Sequence, residues 1–139
     1  MKISRARFTY TPFSSEAMAR IGQAAVGSIK KRIQSGVDAN DQAAKELNPQ
    51  YANYKRRNGL RPIRDWTKSG LTMASLAVKS ANENRVTIGF TDDRGDRIVS
   101  VQNLRCKMYG ISPGDRAAVV AAIRAELART PPVRLKRAA

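Results

Sequence analysis

The chain has 139 residues, 42% of them hydrophobic, enough for one folded domain with a modest core. Its 26 basic and 11 acidic residues give a net charge of +15, which draws a protein to nucleic acid, acidic protein surfaces or anionic membranes. One cysteine, Cys106, and no histidine exclude an internal disulfide framework, a zinc site of Cys and His ligands, and any triad whose base is histidine.

Residues 1–13 read as an extended arm in which Phe8 and Tyr10 alternate with polar residues before Pro12. The segment is basic but lacks the apolar stretch of a secretory leader. No apolar run reaches the roughly 20 residues of a membrane span, so a soluble intracellular protein is expected.

A helix is predicted over 14–35. Ser14 or Ser15 caps it, Glu16 sits in its first turn, and Gly36 ends it. Met18, Ile21, Ala25, Ile29 and Ile33 form one apolar stripe. Lys30, Lys31 and Arg32 fall in the last turns, where the helix dipole favours cations. Gly22 and Gly27 lie inside this helix, through either close approach of a neighbour or simple tolerance. Residues 37–48 read as a polar loop whose Asp38, Asn40 and Asp41 do not match the register of a calcium-binding hand. Asn48-Pro49 then starts a short helix over 49–57 that places Tyr51 and Tyr54 on one face, and Asn58-Gly59 stops it. Lys55, Arg56, Arg57, Arg61 and Arg64 cluster near these tyrosines. The cluster reads either as a phosphate-contacting surface with aromatic stacking or as an ordinary solvated face.

The stretch RDWTKSGLTMASLAVKSANENRVTIGF, Arg64 to Phe90, holds the only tryptophan. Leu71 to Ala74 reads as one helical turn. Leu76, Val78 and Ser80 alternate with polar or small residues, Asn82-Glu83-Asn84 is a turn, and Val86, Ile88 and Phe90 alternate again, so a β-hairpin with one buried face is predicted. Thr91 to Asp96 reads as an acidic turn, in which Arg94-Gly95-Asp96 matches an integrin-binding tripeptide by chance. Over 97–108, Ile98, Val101, Leu104 or Arg105, and Met108 fit a helix, although Ile98-Val99 and Val101 also fit the start of a strand; helix is taken. Ser112, Pro113 and Asp115 form a helix start with a short-armed capping box. Val120, Ile123 and Leu127 are the expected inner stripe, flanked by Val119, and Pro131-Pro132 ends the helix. The basic residues 131–139 read as a tail, leaving 14–130 as a single α+β domain with helices packed on one face of a short antiparallel sheet. Cys106 reads as a packing residue. No catalytic, cofactor-binding or metal-binding constellation is visible, and neither a small-molecule substrate nor a membrane partner is expected.

Four segments in order resemble the phage virion-morphogenesis proteins, a Mu-like group of tail-completion and head-tail joining components. They are LNPQYANYKRRNG (Leu47–Gly59), DWTKSGLTMASL (Asp65–Leu76), VTIGF (Val86–Phe90) and YGISPGDRAAVVAAI (Tyr109–Ile123). Together they fall within residues 14–128. Ser69-Gly70 stands where the family has threonine-glycine, Thr72 occupies a usually apolar position, and RIVSVQNLRCKM replaces the family's histidine-bearing helix and proline-arginine loop. The resemblance implies a non-enzymatic structural protein of the neck in the virion, forming a cyclic homo-oligomer and touching portal, neck or tail proteins around the DNA path. In that setting Trp66, Gly70 and Leu76 are candidate packing anchors. Lys30, Lys31, Arg32, Lys55, Arg56, Arg57, Arg61 and Arg64 are candidates to face a partner or to touch DNA without reading its sequence. A stand-alone basic nucleic-acid-binding protein is the alternative.

Overall fold

A helix of 20 residues, α1 (Ser15–Gln34), forms the spine of the molecule, which is a computed structural model describing residues 13–66 and 71–129. It is followed by α2 (Pro49–Arg57), the single turn α3 (Leu71–Ala74), strands β1 (Leu76–Ala81) and β2 (Val86–Phe90), α4 (Asp93–Arg105) and α5 (Pro113–Arg129). The class is α+β, as predicted. Residues 1–12 of the expected arm, the tail 131–139 and Gly70 lie outside the described residues.

The local signals act as the sequence implies. Ser14 Oγ accepts the Ala17 amide at 3.1 Å to start α1. At the other end Gly36, at φ +71°, closes a Schellman motif in which the Val37 amide reaches the Arg32 carbonyl. Asn48 caps α2, and Gly59, at φ +69°, ends it in the same way, with the Leu60 amide on the Lys55 carbonyl.

Ile29, Ile33, Leu76 and Met108 are fully enclosed, and with Val26, Met73, Phe90 and Val99 they make the core between α1, the hairpin and α4. Each such side chain contributes about 1.5–3 kcal/mol on leaving water. Trp66, Cys106 and Tyr109 pack against this cluster from its edges. The hairpin lies on α1, and α5 packs along α1 as well.

Gly22 of α1 is where the hairpin comes closest. A Cβ there would stand 2.5 Å from Val86 Cγ1 and 2.9 Å from Val78 Cγ2, whereas one at Gly27 would meet nothing within 4 Å. Close approach therefore explains the first glycine and not the second.

Three sequence expectations are corrected. The alternation of β1 breaks at a bulge between Val78 and Ser80. Ser80 thus pairs with Thr87 and stays exposed, while Ala81, opposite Val86, is half-buried. Next, Thr91–Asp96 is not a free turn. Asp92 accepts the Arg94 amide and caps α4, so Arg94-Gly95-Asp96 lies in the first turns of a helix with Gly95 buried. Finally, α4 and α5 face the core in a different phase. Val99 is buried on α4 while Val101 and Leu104 are exposed, and Met108 enters the core from beyond the helix end. On α5, Val120 and Leu127 are exposed, Val119 and Ile123 are half-buried, and the enclosed positions are Asp115 and Glu126.

Candidate functional site

Two of the eight candidate surface cations turn inward. Arg32 is buried by the end of α1 and donates Nε to Asp115 Oδ2 at 2.9 Å. Its Nη1 donates to the carbonyls of Val37 and Met108, and its Nη2 to that of Gly110 at 2.8 Å. Asp115 also accepts the Ser28 hydroxyl at 2.6 Å and the Ser112 amide at 3.0 Å, and its own amide donates back to Ser112 Oγ. The capping box read at the start of α5 is thus the anionic half of a buried ion pair that joins α1, the loop after it, residues 108–112 and α5. Burial pushes the Asp115 carboxyl up, but the bonds from Ser28, Ser112 and Arg32 outweigh it and hold the group below its usual range.

Lys55 is 2% exposed. Its Nζ donates to Asp65 Oδ1 and to the Ile63 carbonyl, both at 2.6 Å, which pins the 61–66 segment against α2. Neither Arg32 nor Lys55 can meet a partner or a phosphate. This corrects the expectation for both: each is buried and paired with a carboxylate. Lys31, Arg56, Arg57 and Arg61 are exposed and Lys30 is half-buried. Arg56 donates to Asn53 Oδ1, and Arg61 to the Gln34 carbonyl.

The pinned segment forms one wall of a cleft of about 1000 Å³, the other walls being α2 with the residues before it and α4. Tyr51 and Tyr54 stack in it with centroids 5.9 Å apart and planes within 10°. Burial, with smaller contributions from Tyr54 and Asp65, raises the Tyr51 phenol, which stays neutral at physiological pH. Trp66, Ile63, Ile98 and Leu104 add apolar surface, and Leu104 is 88% exposed. Trp66 has φ +55°, a left-handed backbone that an aromatic residue adopts only under strain. Among the described residues its indole nitrogen is the one buried side-chain polar atom without a hydrogen-bond partner. As a candidate anchor Trp66 therefore packs at the core's edge and lines the cleft at once. Leu76, 1% exposed, lies wholly in the core.

Cations ring this cleft. Arg64 spans it, donating to the Lys45 and Glu46 carbonyls on one side and to Gln102 Oε1 of α4 on the other. Lys45, Arg94 and Arg105 are exposed at its margin. Of the two lining carboxylates, Asp65 is paired with Lys55, leaving Glu46. Arg94, Leu104 and Arg105 were not singled out as site residues. Only the fold brings α4 to α2, across some forty residues of chain.

The cleft offers apolar contact, aromatic faces and positive charge. Among the described residues, no group of three or more His, Cys, Asp or Glu is placed to hold a metal ion. Comparison with family models, with curated proteins and with solved structures finds no match to this chain.

Proposed function

We propose that this chain is a structural protein of the phage neck or tail-completion region, assembling head to tail into a ring and bridging its neighbours around the DNA path. The observation that carries this reading is a pair of unlike apolar surfaces. Val101, which does not line the cleft, is 53% exposed on α4, and Val120 and Leu127 are 44% and 47% exposed on α5. The two helices pack against different neighbours, α4 on β2 and α3, α5 on α1. Two different patches on one chain are what a heterologous contact requires, and such a contact closes into a ring when its rotation permits. The four segments that resemble the virion-morphogenesis proteins point to the same reading. Among the described residues no helix is long and apolar enough to cross a membrane.

Native mass spectrometry across rising protein concentration tests the proposal, with negative-stain imaging of the products. Rings are expected, and Leu127→Asp, on an exposed position, is expected to leave a folded monomer. A wild-type monomer at every concentration overturns the ring.

The nucleic-acid reading keeps support from Lys31, Arg56, Arg57 and Arg61, all exposed. Charge reversal at Arg56 and Arg57 tests it cleanly, because neither is buried as Lys55 is. If rings persist while weak, salt-sensitive DNA affinity falls, these residues face the DNA path. If rings fail, they belong to a subunit contact.

A further inference from the structure

We infer that the cleft between α2 and α4 is a docking site for an acidic segment with bulky apolar side chains, carried by a neighbouring protein. The inference rests on the assembly reading only for the existence of such a neighbour. Charge complementarity carries the rest. Lys45, Arg64, Arg94 and Arg105 surround the opening, and Glu46 is the one lining carboxylate not paired with a buried cation.

The chain's own ends do not suit this cleft. Residues 1–12 carry Lys2, Arg5 and Arg7, residues 130–139 carry Arg134, Lys136 and Arg137, and neither stretch contains an acid. A positive rim repels both, whether they come from the same chain or from a second copy.

The floor decides between the classes of polyanion. A nucleic-acid strand would be served by the Tyr51–Tyr54 stack, but it has no use for Leu104, Ile98 and Ile63 in the same cleft. A peptide that alternates carboxylates with leucine-like side chains uses both: apolar groups fill the floor while carboxylates meet the guanidinium groups of Arg94 and Arg105. Trp66, strained and with an unpartnered indole N–H, also lines this cleft.

The single tryptophan makes the test direct, since Trp66 lines this cleft and no other indole contributes to the emission. The full chain is titrated with a short synthetic peptide alternating glutamate with leucine. A saturable change in Trp66 emission is expected, with affinity that falls as salt rises. Combined Arg94→Glu and Arg105→Glu substitutions should weaken binding about tenfold or more. Leu104→Ser should do so while leaving the rim charge intact. The same charge change made on α5, Arg116→Glu with Arg124→Glu, should leave the affinity within about twofold, since it lies outside the cleft. The inference is overturned by the absence of any Trp66 response to the peptide, or by equal binding of a lysine–leucine peptide. It is also overturned if an oligothymidylate displaces or replaces the peptide in the cleft, or if the Trp66 signal changes with protein concentration alone, which would make the occupant a second copy. Monomeric protein that binds the peptide refutes the ring and keeps the cleft, and rings blind to the peptide do the reverse.

Discussion

Asp115 ties together several separate parts of the molecule. It begins α5 by capping, it neutralises Arg32, and through Arg32 it fixes three carbonyls from two separate loops. Its removal strands a guanidinium in a place that is 8% exposed. Asp115→Ala is therefore expected to destabilise the protein by about 3–5 kcal/mol, the range for breaking a buried pair from one side. Urea unfolding measures it, and a loss under about 1 kcal/mol would mean that Arg32 finds water or another acid. The carboxyl also sets a pH dependence. Its folded pKa is below the unfolded one, so its contribution is complete above the unfolded value of about 4 and is lost as pH falls through the lower folded value. Wild-type stability should drop on acidification through that window, and the drop should be smaller in Asp115→Ala. Identical acid profiles for the two proteins would contradict this.

At the scale of elements, α1 holds a built-in control experiment. Gly22 faces two stiff β-branched side chains of the hairpin and Gly27 faces open space. Gly27→Ala should stabilise the protein by about 0.5–1 kcal/mol through helix propensity. Gly22→Ala gains the same propensity but must displace Val86 and Val78, and overpacking of this kind costs about 1–3 kcal/mol. Its melting temperature should fall below wild type while that of Gly27→Ala rises; two increases would show that the hairpin yields freely. Sequence reasoning reaches as far as local causes reach. Caps, stop glycines, the tyrosine pair and the hairpin turn are decided within a few residues, and the structure has each where predicted. The phase of α4 is not local: Val101 and Leu104 fit a helical stripe as well as Val99 does, and only the position of Phe90 and Met73 selects Val99 for the core. Arg32 and Lys55 read as surface cations for the same reason. The acid that claims Arg32 lies 83 positions away, and nothing in KKRIQSG announces it. Half of the cleft was legible, as tyrosines beside a basic cluster on α2. The half supplied by α4 was not, because a helical period over 97–108 does not say which of its apolar residues stay exposed.

For the whole molecule the excess of positive charge remains after every pair is counted. The ion pairs Arg32–Asp115 and Lys55–Asp65 are internal and hardly feel dissolved salt, with side chains between 1% and 6% exposed. Arg20 is half exposed in its bidentate contact with Glu126, where hydrogen bonding lowers the Glu126 pKa, and that pair is open to screening on one side. Against these few attractions stands a net charge of +15, whose self-repulsion opposes the compact state. Added salt shortens the reach of that repulsion to about 10 Å at 0.1 M. Raising sodium chloride from about 10 mM to about 150 mM should thus stabilise the folded chain, by the order of 1 kcal/mol or about 3–6 °C in melting temperature for a domain of this size. Chloride is the appropriate anion, since sulfate would add a general exclusion effect of its own. The gain should shrink when surface cations are removed in pairs, for example in Arg56→Gln with Arg57→Gln, and should survive Asp115→Ala, whose defect is internal. A melting temperature that falls with salt would mean that surface attraction outweighs repulsion, and that the excess charge is already balanced by acids the fold places beside it.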